Sequence, residues 1–312
     1  MAIFTKKRTA RFRTHTVRNR QETITPHIYI KNDNICTITP HIYDNYIKKY
    51  DNNNNYMKVV YVFNINTAGI GDFFTFFNIL LHICIKNDTL LYLHVDQLIL
   101  NYIKPHFPII LLDDTTFAKC IKTHISHINM LYTTISKKHS ITNYHIVYPS
   151  VLYGAYTGHT SNFPLKNIFY FHDTIIEKAL SITDNKKYIS VHLRLGDKFL
   201  EIDKKFIASK NDVRSYDESK ILSFFTNNND KNIYFFCDNN AYRQKIKQLF
   251  DYINITDLRI GHSALSSTSN EEIFNSILEF YIMSNSEKIY KCSRSGFSEM
   301  ASRFNNVEYC KI

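Results

Sequence analysis

Apolar residues along the chain fall into short unbroken blocks separated by turn-forming residues. Lys58 to Ile65 is a continuous Val/Tyr/Phe/Ile run, the pattern of a strand buried on both faces in a parallel sheet. After a turn holding Gly69 and Gly71, residues Phe73 to Cys84 are apolar at almost every position and long enough for a largely buried helix. Strands are predicted over Leu90 to Val95, Ile109 to Leu112 and Tyr144 to Tyr148, with helical stretches between them. Residues 1 to 55 carry little periodicity and end in Asp51 followed by four asparagines, which predicts a tail with one short ordered segment at most, closed by a linker.

A turn-rich, aromatic stretch from Pro149 to Pro164 reads as an acceptor-binding or interdomain loop. Helix Asp173 to Ile182 then leads into repeated units. These are strand Tyr188 to Leu193, helix Ser215 to Phe225, strand Asn232 to Phe236, helix Ala241 to Phe250, strand Ile253 to Ile255, helix Glu271 to Met283, strand Lys288 to Tyr290 and helix Phe297 to Phe304. Such alternation predicts an α/β fold with mostly parallel, doubly wound sheets. The expected architecture is two Rossmann-like domains facing each other across a cleft, over residues 56–165 and 166–312, after a basic tail and linker over 1–55.

A length of 312 residues accommodates two domains with separate cores. The net charge of +10 is uneven: residues 1 to 20 hold seven cations and no acid, and subtracting those seven leaves +3 for the rest. That smaller surplus suits an enzyme with an anionic substrate, whereas the tail suits a solubilising arm. The 22 Tyr and 23 Phe accompany an excess of Ile, Asn and Lys, the bias of an AT-rich genome, so aromatic richness is no functional signal here. Six scattered cysteines form no C-x-x-C pair, which predicts reduced core residues and no metal site. The longest apolar runs are too short to span a bilayer, and the expectation is a soluble cytoplasmic protein.

The densest chemistry lies in Ile189 to Lys198, where a strand ends in His192, Arg194 and Asp197 around Gly196. His192 and Arg194 share one strand face and meet at its carboxyl end, where open α/β sheets bind ligands. A neutral imidazole beside a guanidinium that can fork onto a diphosphate suits a nucleotide-sugar donor. Gly69 and Gly71 let backbone approach a ligand, and the helix after them offers free amides to an anion. Ser293 to Ser298 is a second phosphate candidate, through Ser295, the amides of Gly296 and Phe297, and the charge of Arg294.

The sequence His192-Leu-Arg194-Leu-Gly196-Asp197 resembles the H-x-R-x-G/T-D motif of the fucosyltransferase superfamily, the α1,2-, α1,6- and protein O-fucosyltransferases. Tyr234 to Asp238 and Ser293 to Ser298 are similar to the family's later strand end and Ser-rich turn, so the resemblance covers about residues 185–305. It implies an inverting GT-B enzyme that moves fucose from GDP-fucose to a glycan or protein hydroxyl, without metal or further cofactor. It also implies that Arg194 binds the β-phosphate, that His192 contacts the nucleotide, and that Asp257 meets the guanine edge. The residues 166–312 would then bind the nucleotide sugar and 56–165 the acceptor.

Inversion needs one carboxylate near the acceptor hydroxyl, and both Asp72 and Glu201 remain candidates. A competing reading makes residues 68–72 a loop for S-adenosylmethionine or a dinucleotide, with Asp96 as the ribose-binding acid. A non-catalytic nucleic-acid-binding protein would rest on the tail alone, with no recognised motif behind it, so nucleic acid is not an expected partner.

Overall fold

The computed structural model describes residues 39–64, 67–107, 110–137, 142–153, 164–200, 212–265 and 267–312. Helix α1 (Pro40–Ile47) starts at Thr39, whose side chain accepts from the Ile42 amide, and a 3-10 stretch over Lys48–Asn55 follows. This is a short ordered segment of the kind allowed for in the expected tail, and it packs against the first sheet. The Tyr46 hydroxyl donates to the Thr89 carbonyl at 2.9 Å and accepts from the Leu91 amide at 2.7 Å. The two tyrosines Tyr46 and Tyr50 thereby cover an edge strand whose backbone would otherwise be unpaired.

Strand β1 (Lys58–Phe63) is buried along its whole length, as its unbroken apolar run requires. It leads into α2 (Ile70–Lys86) and β2 (Leu90–Val95). Then come α3 (Gln97–Leu100), β3 (Ile103–Pro105), α4 (Asp114–Lys119), β4 (Lys122–His124), α5 (Ile128–Ser136), β5 (Tyr144–Val147) and α6 (Pro149–Leu152). The first sheet is all parallel, in the order β2-β1-β5-β4. The strand expected at 109–112 is reduced to one bridge, Leu111 to Leu93; of those four residues, 110–112 are described.

Strand β6 (Phe169–Phe171) pairs antiparallel with β3. Next follow α7 (Asp173–Thr183), β7 (Ile189–Leu193), α8 (Glu218–Thr226), β8 (Ile233–Cys237), α9 (Asn240–Leu249), β9 (Asn254–Ile255), α10 (Asn270–Ser284), β10 (Lys288–Lys291), α11 (Gly296–Asn305) and β11 (Glu308–Lys311). The second sheet is also parallel, β11-β10-β7-β8-β9. The α/β expectation holds, and β11 adds an unexpected fifth strand.

The described residues form one compact unit, and α2 explains why. It is buried on every face, with 14 of its 17 residues inside. Phe74 stacks on Phe280 of α10 at 4.8 Å and meets Phe304 of α11 edge-on at 5.7 Å. Phe73, on the same helix, packs against Tyr61 and Phe63 of β1. One helix thus bonds the two sheet layers through a shared aromatic core. Cys84, Cys237 and Cys292 are buried free thiols, and no helix among the described residues is long and apolar enough to cross a membrane.

Candidate functional site

The carboxyl ends of β7, β8 and β10 stand side by side, and the residues just past them interlock. The Arg194 amide donates to Ser293 Oγ at 2.9 Å, and that hydroxyl donates back to the Arg194 carbonyl at 2.8 Å. Asp238 receives the amides of Leu195 at 2.7 Å and Gly196 at 3.1 Å. Its carboxylate therefore fixes the turn that carries Arg194. The Arg194 guanidinium pairs through Nη2 with Asp197 and lies 3.5 Å from Asp238 through Nε. Held at two of its three nitrogens, it has one edge left to meet a ligand.

Glycine is obligatory at position 196. Its φ is +106°, and a Cβ there would lie 2.3 Å from the Asp212 carbonyl oxygen. That close approach brings in a segment with no recognisable sequence pattern. The Asp212 carboxylate accepts the Asp197 amide at 3.3 Å and an Arg214 Nη2 hydrogen at 3.1 Å. Arg214 becomes a second guanidinium in the site.

Two helix N-termini converge opposite this cluster. A Cβ on Gly71, in the first turn of α2, would lie 2.7 Å from the Phe297 nitrogen in the first turn of α11. Only glycine lets these turns touch. Neither α2 nor α11 has a cap side chain that accepts from its first-turn amides, whereas α7, α8, α9 and α10 each do. First-turn amides without a protein acceptor are oriented for an anion. On α2, Asp72 accepts the Gly69 amide at 3.1 Å and a hydrogen bond from the Tyr153 hydroxyl at 3.4 Å.

Burial raises the Asp72 pKa, against its hydrogen bonds and the charges of Arg194 and Arg214. Burial likewise raises Asp197, opposed by Arg194. His192 is held down to about 3 by burial and, secondarily, by Arg194 and Arg243, so it is a neutral imidazole. Its Nδ1 is buried without a hydrogen-bond partner among the described residues. Beneath the site, Arg243 and Glu279 form a buried two-pronged pair at 2.6 and 2.9 Å. Arg243 Nε also donates to the Cys237 carbonyl at 2.7 Å, which ties the residue before Asp238 to α10.

Asp72, His192, Arg194, Asp197, Asp212, Arg214 and Glu279 line one cavity of about 490 Å³. Of the residues singled out from sequence, it brings together Gly69, Gly71, Asp72, His192, Arg194, Asp197, Arg294, Ser295, Gly296 and Phe297. Gly196 stands behind Arg194 as its backbone support. Asp257 lies elsewhere: it is exposed and borders a second, open depression with Asn240, Arg243 and Arg259. Glu201, and residues 154–163 of the turn-rich loop, lie outside the described residues. Asp96 caps α3 by accepting the Leu98 amide at 3.0 Å and is not among the cavity's lining residues.

Sequence reasoning missed Asp212, Arg214, His262 and Glu279 as members of the site. Glu279 had one readable signal, an acid at a position surrounded by core residues of α10; the others had none. No cluster of three His, Cys, Asp or Glu suited to a metal ion occurs among the described residues.

No protein-family profile matches the chain, and no curated protein matches its sequence. Among solved structures it is similar to fucosyltransferase NodZ from Bradyrhizobium, with 8% identity over 78% of this chain and 91% of that one and a TM-score of 0.48. A mutant of Arabidopsis thaliana FUT1 in complex with GDP has 11% identity over 88% of this chain and 74% of its own, with a TM-score of 0.48. POFUT1 in complex with GDP-fucose has 12% identity, 81% and 97% coverage, and a TM-score of 0.45.

Proposed function

We propose that the chain is an inverting GT-B glycosyltransferase that moves fucose from GDP-fucose to a hydroxyl of a glycan or protein. The observation that carries this reading is the position of Arg194. The motif residue stands at the end of a parallel strand, in one cavity with the N-terminus of α11, whose cap makes no side-chain hydrogen bond, and with a half-buried carboxylate, Asp72, on α2.

In this reading the diphosphate lies between the free edge of Arg194 and the amides of Gly296 and Phe297, with Arg214 and Arg294 adding positive charge at the cavity wall. The bond from sugar C1 to the β-phosphate oxygen breaks with its electron pair on the diphosphate. Prepositioned guanidinium and amide groups stabilise that developing charge by several kcal/mol, because they need not reorganise. The acceptor oxygen forms the new bond to C1 from the opposite face and gives its proton to Asp72. Burial suits Asp72 to this, since a raised pKa makes a carboxylate a stronger base. The leaving diphosphate needs no proton, and guanidinium and amide groups meet its charge, so the reading calls for no metal. Neutral His192 faces the nucleotide, and Asp257 would meet the base only if it extended into the neighbouring depression.

Thermal unfolding against GDP, GDP-fucose, UDP, NAD and S-adenosylmethionine tests the reading. Stabilisation by the two GDP ligands alone, lost in Arg194→Ala, is expected. A response to S-adenosylmethionine or NAD alone would move the site to Gly69 and Gly71 and refute the transferase.

A further inference from the structure

One side chain of the cavity wall has no part in the steps above. His262 lies between β9 and α10, on backbone fastened at four points. Ser263 Oγ donates to the Ala68 carbonyl at 3.0 Å, Ser276 Oγ to the Gly261 carbonyl at 2.8 Å, Asn275 Nδ2 to the Arg259 carbonyl at 2.9 Å and Thr268 Oγ1 to the His262 carbonyl at 2.7 Å. The imidazole is therefore positioned from both the glycine turn and α10.

Its tautomer follows from its neighbour. The Ala264 backbone N–H, which can only donate, lies 3.2 Å from Nδ1, so Nδ1 accepts and Nε2 carries the hydrogen. Burial, with a smaller push from Arg194, keeps the ring's pKa down to about 3. The Nε2–H is thus a neutral donor. It stands where the chemistry would occur: a methyl group on Gly69 would come 3.6 Å from His262 Nε2 and 3.5 Å from Asp72 Oδ2.

In the transferase reading, cations and helix amides serve the diphosphate. A rigid neutral donor is matched instead to a hydroxyl or ring oxygen, which fixed polar groups in a pocket select by direction. Resting on the transferase reading above, we propose that His262 Nε2–H donates to an oxygen of the transferred sugar. His262 is then the residue by which the site tells a nucleoside diphosphate sugar from the bare nucleoside diphosphate. Removing the donor weakens a ligand whose oxygen it meets, whereas a bare diphosphate leaves that space to water, which satisfies the donor, so its affinity is little changed by the substitution.

Calorimetric titration of the full chain with GDP and GDP-fucose tests this in the parent, His262→Phe, His262→Asn and His262→Gln. The Asn variant keeps an acceptor for the Ala264 amide but has no donor at the Nε2 position; Gln can reach that position with an amide hydrogen. Phe and Asn should bind GDP-fucose about 5- to 30-fold more weakly, the loss expected for one buried hydrogen bond, with GDP affinity within about 2-fold of the parent. Gln should recover most of the loss. Equal weakening of both ligands in Asn, or unchanged GDP-fucose binding in Phe and Asn, overturns the assignment. A parent that binds neither ligand overturns the transferase reading itself, a failure seen before any substitution is made.

Discussion

Replacing Glu279 by Gln isolates the contribution of one charge to the floor of the site. Arg243 and Glu279 are each only 1% exposed. The guanidinium spends Nη1 and Nη2 on the carboxylate at 2.6 and 2.9 Å, Nε on the Cys237 carbonyl at 2.7 Å and Nη1 also on Thr256 Oγ1 at 3.0 Å. Glutamine keeps the shape and removes the counter-charge, so the buried guanidinium is left without compensation, which costs about 3–5 kcal/mol. For a chain of this size that corresponds to a fall of about 5–8 °C in the unfolding midpoint. Arg243→Met combined with Glu279→Leu removes both charges and should be less destabilised than Glu279→Gln, even though the Cys237 carbonyl and Thr256 lose a partner. Urea unfolding followed by far-UV circular dichroism on the parent, the single variants and the double variant would measure the coupling. Glu279→Gln within about 1 kcal/mol of the parent would refute the reasoning, because a well-solvated pair loses no more than that.

Gly71→Ala should destabilise the chain by about 1–3 kcal/mol, since its Cβ would fall 2.7–3.0 Å from backbone atoms of α11 that cannot rotate away. Gly69→Ala, whose Cβ would meet side-chain atoms at 3.4 Å and beyond, should be milder; equal midpoints in thermal unfolding would contradict this. Burial raises the Asp72 pKa above its unfolded value, so folding is most favoured below the unfolded pKa and loses stability as pH rises through the folded one. Asp72→Asn should therefore unfold at a higher temperature than the parent at pH 7, while transfer falls about 100-fold or more; a lower midpoint or a near-parental rate would count against it. His192 behaves in the opposite sense. Its pKa falls from 6.5 unfolded to about 3 folded, so its contribution is complete above about pH 6.5 and is lost as pH falls towards 3. At pH 5 the loss is about 2 kcal/mol. His192→Gln should lose that much less stability than the parent between pH 7 and 5, and parallel stability profiles would exclude the assignment.

The sequence by itself determined the elements and their class. Unbroken apolar runs such as Lys58–Phe63 leave no polar face to expose, so they become interior parallel strands, and the helical blocks between them must cover the sheets. The same local order placed His192, Arg194 and Asp197 at a strand end and Gly296 and Phe297 at a helix start, because strand alternation and helix onset are properties of neighbouring residues. Where local pattern was thin it said little: the sequence allowed one short ordered segment before residue 55, but not that Tyr46 and Tyr50 would find partners on β2, more than 40 residues away. The single bridge at Leu111 likewise reflects what its neighbours permit and not its own apolar run. Only the tertiary structure brought Gly71 against Phe297, Asp212 against Gly196 and Asp197, His262 against Gly69, and Glu279 against Arg243. These contacts join segments that are distant in sequence, and no periodicity can encode them. Two parallel sheets sharing one aromatic core decide them, since packing α2 against α10 and α11 leaves the strand ends and the starts of α2 and α11 facing the same space.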